Sequence, residues 1–292
     1  MHFEKKPLSL LNTLKGVAVG VANIIPGVSG GTIAVITGLY DELVDAFGNF
    51  FSSEGGWRRN LLFLAPVVVG ILVGNIAFAR LIGYLLDVAP EATTFGFIGL
   101  ILGSTPYLFK RAGTARFRAR YILLFLLGLG VVLWMGLTPR PEASPAITRI
   151  TLTTGTWIFA AAFIASIAMI IPGVSGSFLL LLIGMYSTLQ QGFSNINIPV
   201  ILVFVLGTLT GVVLVSKAIA ALLKNFHGAT YFAIIGLVVG SAIALFPGLS
   251  SGRMLWLDGG AFLLGATLSL ILGTDMKERL LRRRRNTLHD AR

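Results

Sequence analysis

The peptide Ile24-Ile25-Pro26-Gly27-Val28-Ser29-Gly30 returns as Ile170-Ile171-Pro172-Gly173-Val174-Ser175-Gly176, and each copy interrupts an apolar stretch that would otherwise read as one membrane helix. Proline removes a backbone donor and glycine lets the chain reverse, so each copy breaks the helix that contains it. Two helices broken at corresponding places are the sequence mark of a secondary transporter.

The breaks matter because their surroundings are so apolar. Of 292 residues, 55% are hydrophobic and 12% charged, and the mean hydropathy is +0.86. That is too apolar for an ordinary soluble domain, so the chain reads as an integral membrane protein. It has no cysteine, so neither a disulfide framework nor a thiolate metal site is available. Lys15 interrupts the first apolar run and no small-residue cleavage site stands out, so the N-terminal segment is expected to be retained.

The similarity extends beyond the motif. At an offset of 146, Pro26, Gly27, Ser29, Gly30, Gly38, Tyr40 and Phe47 fall on Pro172, Gly173, Ser175, Gly176, Gly184, Tyr186 and Phe193. At an offset of 137, Gly70, Gly74 and Arg80 fall on Gly207, Gly211 and Lys217. Ala92, Thr93, Phe95, Gly99, Gly103, Ser104 and Phe109 likewise fall on Ala229, Thr230, Phe232, Gly236, Gly240, Ser241 and Phe246. Two repeats are expected, 1–138 and 150–275, joined by an outside linker at 139–149 and followed by a basic tail at 276–292.

Stretches of about 17 to 25 apolar residues can cross a bilayer. They occur near 61–86, 94–109 and 121–137, and again near 200–223, 230–246 and 258–274. Each repeat then holds three crossings plus one broken segment, at 10–47 and about 152–193. If the broken segment enters and leaves on the same side, the number of crossings per repeat is odd and the second repeat is inverted. The expected fold is an all-α polytopic membrane protein with an inverted-topology repeat, each half a re-entrant helical hairpin plus three transmembrane helices.

Charge tests this independently. With the N-terminus in the cytoplasm, the inside segments carry Lys5, Lys6, Lys15, Arg58, Arg59, Lys110, Arg111, Arg116, Arg118, Arg120, Lys217, Lys224 and seven cations from Lys277 to Arg292, which is 19 of the 23. The outside segments hold Arg140, Arg149 and Arg253, and the loop at Asp87 and Glu91 is acidic. This is the positive-inside pattern, and it places both termini in the cytoplasm. Trp57, Trp134, Trp157 and Trp256 fall near span ends, as interfacial aromatics do. The basic 110–120 loop and the Arg282–Arg285 run read as topology determinants beside anionic lipid, not as a nucleic-acid surface.

A half-helix from Leu10 to Ile25 is about 24 Å long, enough to reach the membrane midplane. Pro26 and Gly27 then break it, Gly30 and Gly31 let the chain turn, and Ser29 and Thr32 can cap a second half-helix running outward through Tyr40. The N-terminus of that half-helix points amides and a positive dipole end into the membrane, where lipid cannot satisfy them. An anion such as phosphate can. Pro172, Gly173, Ser175, Gly176 and Ser177 bring a second such end from the opposite face. The alternative is that the two tips pack against each other, with Ser29 and Ser175 as ordinary caps. No Gly-Lys-Ser/Thr follows the glycines, so a Walker loop is excluded.

Arg80 and Lys217 are matched cations in or beside apolar spans, candidates for the counter-charge of a bound anion or for snorkelling side chains. Asp41, Glu42 and Asp45 have the neutral counterparts Ser187, Thr188 and Gln191. That asymmetry suits ion coupling, and equally solvated groups at a helix end. The pairs Gly70/Gly74, Gly99/Gly103, Gly207/Gly211 and Gly236/Gly240 suit close helix packing, within the chain or in a homodimer. The only histidines are His2, His227 and His289, and no Ser-Lys or paired-carboxylate constellation lies in the spans. Neither an enzyme nor a bound cofactor or metal is expected.

The segments Asn23-Ile24-Ile25-Pro26-Gly27-Val28-Ser29-Gly30-Gly31-Thr32 and Ile171-Pro172-Gly173-Val174-Ser175-Gly176-Ser177-Phe178 resemble the PopT family of bacterial polyprenyl-phosphate transporters, over about residues 10–275. The resemblance implies that the cargo is undecaprenyl phosphate, the lipid carrier of cell-wall precursors, returned across the cytoplasmic membrane. Tyr186-Ser187-Thr188 departs from the acidic residue that many relatives are expected to have after the second motif. The rival reading is an ion-coupled carrier or channel for a small soluble anion, and a third is a non-transporting scaffold.

Overall fold

The computed structural model describes residues 10–24, 28–51, 56–113, 119–139, 144–248 and 252–273. Pro26, Gly27, Lys5, Lys6, Arg116, Arg118, Arg140 and the tail from Lys277 lie outside the described residues. Among those described, the chain is all-helical. The first part comprises α1 (Leu10–Asn23), α2 (Gly30–Ile36), α3 (Tyr40–Gly48), α4 (Trp57–Val88), α5 (Pro90–Gly103), α6 (Thr105–Ala112) and α7 (Ala119–Leu137). It is followed by α8 (Leu152–Ile170), α9 (Gly176–Leu182), α10 (Tyr186–Ser194), α11 (Ile198–Asn225), α12 (His227–Ala244) and α13 (Arg253–Gly273).

Seven helical stretches are long and apolar enough to cross a membrane, by length and composition. Six coincide with the spans read from sequence, α5 and α6 counting as one. The seventh is α8, expected as the first arm of the second broken segment. Its 19 residues extend about 28 Å, close to the hydrocarbon thickness of a bilayer. A capping box of Thr151 and Thr154 starts it, and Pro172 with Gly173, at a φ of 85°, stops it.

The outward half-helices are shorter than the sequence suggests. The expected helix through Tyr40 ends at Ile36, because Gly38 turns left-handed at a φ of 66° and the Thr37 hydroxyl donates back to the Ile33 carbonyl at 2.8 Å. Gly184, at 72°, ends α9 in the same way. Each broken segment is therefore a long helix followed by two short ones.

Glycine sets how the long helices meet. A Cβ at Gly70 would overlap the Thr13 carbonyl, and one at Gly74 the Val17 carbonyl. Gly207 and Gly211 press on the Phe159 and Phe163 carbonyls in the same order. Gly99 and Gly103 meet the carbonyls of Phe262 and Ala266, while Gly236 and Gly240 meet those of Phe125 and Leu129. Residue numbers rise together in every case, so α1 with α4, α8 with α11, α5 with α13 and α7 with α12 pack in parallel. Close Cα–H···O contacts of this kind contribute about 0.5–1 kcal/mol each. All four glycine pairs are thus used inside the chain, and they no longer argue for a homodimer.

The largest core cluster gathers Ile33, Ile36, Leu39, Val44, Phe63, Ile101, Leu108 and Ile235 around α2 and α3. Outward faces stay apolar: Leu72, Ile76, Leu123, Leu127, Leu206, Leu209, Leu263 and Leu264 are all exposed. That inversion of the soluble pattern suits a hydrocarbon surrounding.

Candidate functional site at the meeting of the two breaks

The first turn of α2, just after the first break, meets the second break inside the fold. The Gly173 amide donates to Thr32 Oγ1 at 2.8 Å, and a Cβ at Gly31 would stand 3.4 Å from the Ile170 carbonyl oxygen and the Pro172 Cα. Gly173 is backed by the Leu237 carbonyl of α12, leaving no room for a side chain. The tips therefore pack on each other, but not through caps. Neither the Ser29 nor the Ser175 hydroxyl caps its helix, which corrects the capping role expected of Ser29. Thr32 is used as an acceptor across the interface and not within its own helix.

The two tips differ in access. Ser29 is 4% and Thr32 1% exposed, whereas Ser175, Gly176 and Ser177 lie at a partly open edge, the two hydroxyls 2.9 Å apart. Gly30 faces the Asn23 side-chain oxygen and Gly176 the Met169 side chain. Asn23 thus brings a polar group to the first break that its counterpart Met169 lacks.

Arg80 and Lys217 lie on exposed faces of α4 and α11. The parallel registers, Val17 with Gly74 and Phe163 with Gly211, carry the end of α1 level with Arg80 and the end of α8 level with Lys217. Both cations stand at the depth of the breaks, facing outward. Gly48 at the end of α3 packs on the Lys217 backbone.

Of the three carboxylates considered for coupling, Asp45 accepts from Asn49 Nδ2 at 2.7 Å, Glu42 sits beside it in α3, and Asp41 enters a cluster that the sequence did not disclose. Tyr231 Oη of α12 lies 2.8 and 2.9 Å from the two Asp41 oxygens and donates to them. Arg111 of α6 stands 3.5 Å from Asp41 and donates through Nε to Tyr107 Oη at 2.9 Å. His227 Nε2 lies 2.9 Å from the Arg111 carbonyl oxygen. Tyr107 and Arg111 are one helical turn apart, but no periodicity links them to residues 41 and 231; the available signal was the mismatch of Asp41 with Ser187.

A cavity of about 580 Å³ lies elsewhere, at the start of α8, lined by Ile150, Thr151, Leu152, Gly155, Thr156 and Phe159. None of these lining residues is charged. Among the described residues no group of three or more His, Asp or Glu could hold a metal ion.

A multi-pass helical membrane protein whose two broken helices meet in its interior is, in class, a membrane transporter. Comparison with known proteins makes the assignment specific. Residues 19–258 match the model of the VCA0040-like, undecaprenyl phosphate translocase-like family, and the chain belongs to that family. It is 34% identical over 273 residues to the polyprenyl-phosphate transporter of Staphylococcus aureus, covering 90% of this chain and 95% of the relative. It is 33% identical over 254 residues to the polyprenyl-phosphate transporter of Vibrio cholerae, covering 83% and 79%. Both relatives are transporters, in line with the expectation that this chain is not an enzyme. No solved structure matches the chain.

Proposed function

We propose that the chain is a flippase for undecaprenyl phosphate in the bacterial cytoplasmic membrane, returning the carrier lipid for reuse in envelope synthesis. The observation that carries this reading is the contact of the two breaks through Thr32 and Gly173, in a chain whose relatives are named for polyprenyl phosphate. A phosphate is prohibitively costly to carry unaided through about 30 Å of hydrocarbon. The head group is received at the paired motifs, from Pro26 to Thr32 and Pro172 to Ser177, while the prenyl chain stays in lipid. Arg80 and Lys217, exposed at the same depth, meet the phosphate as it arrives laterally.

The parallel packing supports re-entrant hairpins. Because α1 runs alongside α4 in the same direction, the chain returns between them to the side it started from; α8 and α11 repeat this. Reversals at Ala89 and Phe226, with α7 parallel to α12, support a reading in which α4 and α11 run in opposite directions and the repeats 1–138 and 150–275 are inverted. Alternating access then exchanges the two halves around the breaks, with both termini cytoplasmic.

Reconstitution in liposomes tests this. Leaflet exchange of undecaprenyl phosphate, lost on Ser29→Ala/Ser175→Ala, is the expected result. Uptake of a soluble phosphate or carboxylate without lipid exchange would overturn the cargo in favour of a small-anion carrier.

A further inference from the structure

Asp41, Tyr107, Arg111 and Tyr231 come from three elements, α3, α6 and α12, and converge around one carboxylate. Its side chain is 11% exposed, while that of Arg111 is 34% exposed, so the guanidinium can be approached from outside and the carboxylate lies behind it. Tyr107 fixes the guanidinium at Nε and also lies under it, 5.6 Å from ring centroid to Cζ. The donors are therefore pre-oriented. Arg111 and Asp41, at 3.5 Å, are farther apart than a well-formed charged hydrogen bond.

A small cavity of about 10 Å³ lies among these side chains, lined also by Tyr40, Val35 and Gly38. The Tyr40 hydroxyl is buried there without a partner, although Tyr40 is only 4% exposed. Thr208, Ser216, Asp258 and Ser269 also carry buried polar atoms without a partner, but Tyr40 is the one of these that lines this cavity, and an orphaned donor beside a cavity and a guanidinium points to a group that is not always present.

The matched positions in the opposite halves carry none of this. Asp41, Tyr107, Arg111 and Tyr231 correspond to Ser187, Ala244, Gly248 and Thr94, and only Tyr40 is kept, as Tyr186. The cluster serves one face of the molecule alone. It adjoins Gly38, just past the far end of α2, roughly 12 Å along that helix from the first break.

We propose that Arg111, Tyr231, Tyr107 and Tyr40 form a second anion site, for a phosphate monoester, and that the Asp41 carboxylate is its built-in occupant, displaced when the phosphate arrives. A carboxylate and a phosphate present the same oxygens to a guanidinium and to phenolic donors. When Asp41 swings out, the vacated volume joins the small cavity and the Tyr40 hydroxyl gains an acceptor. The site stages the head group between the breaks and the face bearing the basic 110–120 loop. This rests on the proposed transport of a lipid phosphate.

The test is equilibrium binding to the purified full-length protein in detergent, with farnesyl phosphate as a soluble prenyl monoester and inorganic phosphate in parallel. D41N removes the competing charge while keeping a hydrogen-bonding side chain of the same shape. It is expected to bind farnesyl phosphate about tenfold more tightly than the wild type, and R111Q about tenfold more weakly, the scale of one charge-assisted hydrogen bond. R111K, which retains the charge without the fork, serves if R111Q fails to fold, and is expected to weaken binding. The same pattern with inorganic phosphate would assign the site to the phosphate alone; a response to farnesyl phosphate only would make the prenyl chain part of recognition. Wild-type binding that D41N leaves unchanged or weakens would overturn the displaced-carboxylate site and reduce the cluster to a strut between α3, α6 and α12. Absence of farnesyl phosphate binding in the wild type and every variant would overturn the transport reading together with it.

Discussion

The amide of Gly173 donates to the Oγ1 of Thr32 across the interface between the two breaks, at 2.8 Å. The bond has no mirror image. Thr32 corresponds to Phe178, which carries no acceptor, so the repeat is not symmetric where its two copies touch. Asn23 opposite Met169 and buried Ser29 opposite accessible Ser175 extend the same asymmetry.

Thr32→Val keeps the shape of the side chain and leaves the Gly173 amide without its acceptor. Losing a buried partner costs about 1–3 kcal/mol, so the variant should unfold at a lower temperature in detergent, and Thr32→Ser should recover most of the loss. Equal stability of all three proteins would mean that water or a backbone shift satisfies Gly173.

The glycine contacts predict a position-specific pattern. Gly99→Ala and Gly236→Ala place a methyl group on the Phe262 and Phe125 carbonyls, forcing α5 from α13 or α7 from α12. Each is expected to destabilise the protein by roughly 1–3 kcal/mol, as overpacking does. The two interfaces are separate, so the effects should add. Gly83→Ala and Gly130→Ala, which meet nothing within 4 Å, should be neutral or slightly stabilising by helix propensity. Thermal unfolding of the four single variants and the Gly99→Ala/Gly236→Ala double separates these outcomes.

Much of this architecture was legible in the sequence because it is periodic. The offset of 137 pairs Gly99 with Gly236, and the structure pairs their partners by the same number, Phe125 with Phe262. Gly128 and Gly265 obey it too, pressing on the Ala233 and Gly96 carbonyls, although neither belongs to a GxxxG motif. Gly38 and Gly184 were visible as a matched pair, but a lone glycine does not reveal its φ, and the turn that splits each outward half-helix was read as continuous helix. The cluster of Asp41, Arg111 and Tyr231 lay beyond reach for a different reason. Its members are 70 and 120 residues apart in sequence, and contacts between distant helices leave no local pattern.

The absence of cysteine allows topology to be read from single-cysteine variants. Leu10→Cys and Arg58→Cys should react with an impermeant thiol reagent from one side of the membrane, Leu152→Cys and Asn195→Cys from the other. All four positions are exposed. Leu10 and Arg58 labelled from opposite sides would mean that α1 to α3 cross the membrane, which would undo both the hairpin and the inversion.

Arg80 and Lys217 give the most direct test of lateral entry. A cation facing hydrocarbon at the level of the breaks is costly unless it snorkels or meets an anion. Snorkelling needs only an apolar stem and a route to the interface, so Arg80→Gln and Lys217→Gln would then leave leaflet exchange unchanged. If the cations receive the lipid phosphate, each substitution removes a charge-assisted contact worth about 1.5–3 kcal/mol, and exchange should slow by roughly ten- to a hundredfold. The two act at the same depth but on different halves. Under alternating access each serves one half of the cycle, and Arg80→Gln/Lys217→Gln should be no slower than the worse single variant whenever that half already limits the rate. Multiplicative losses would instead mean that both cations contact the phosphate in one step, as a fixed central site without exchange of halves requires.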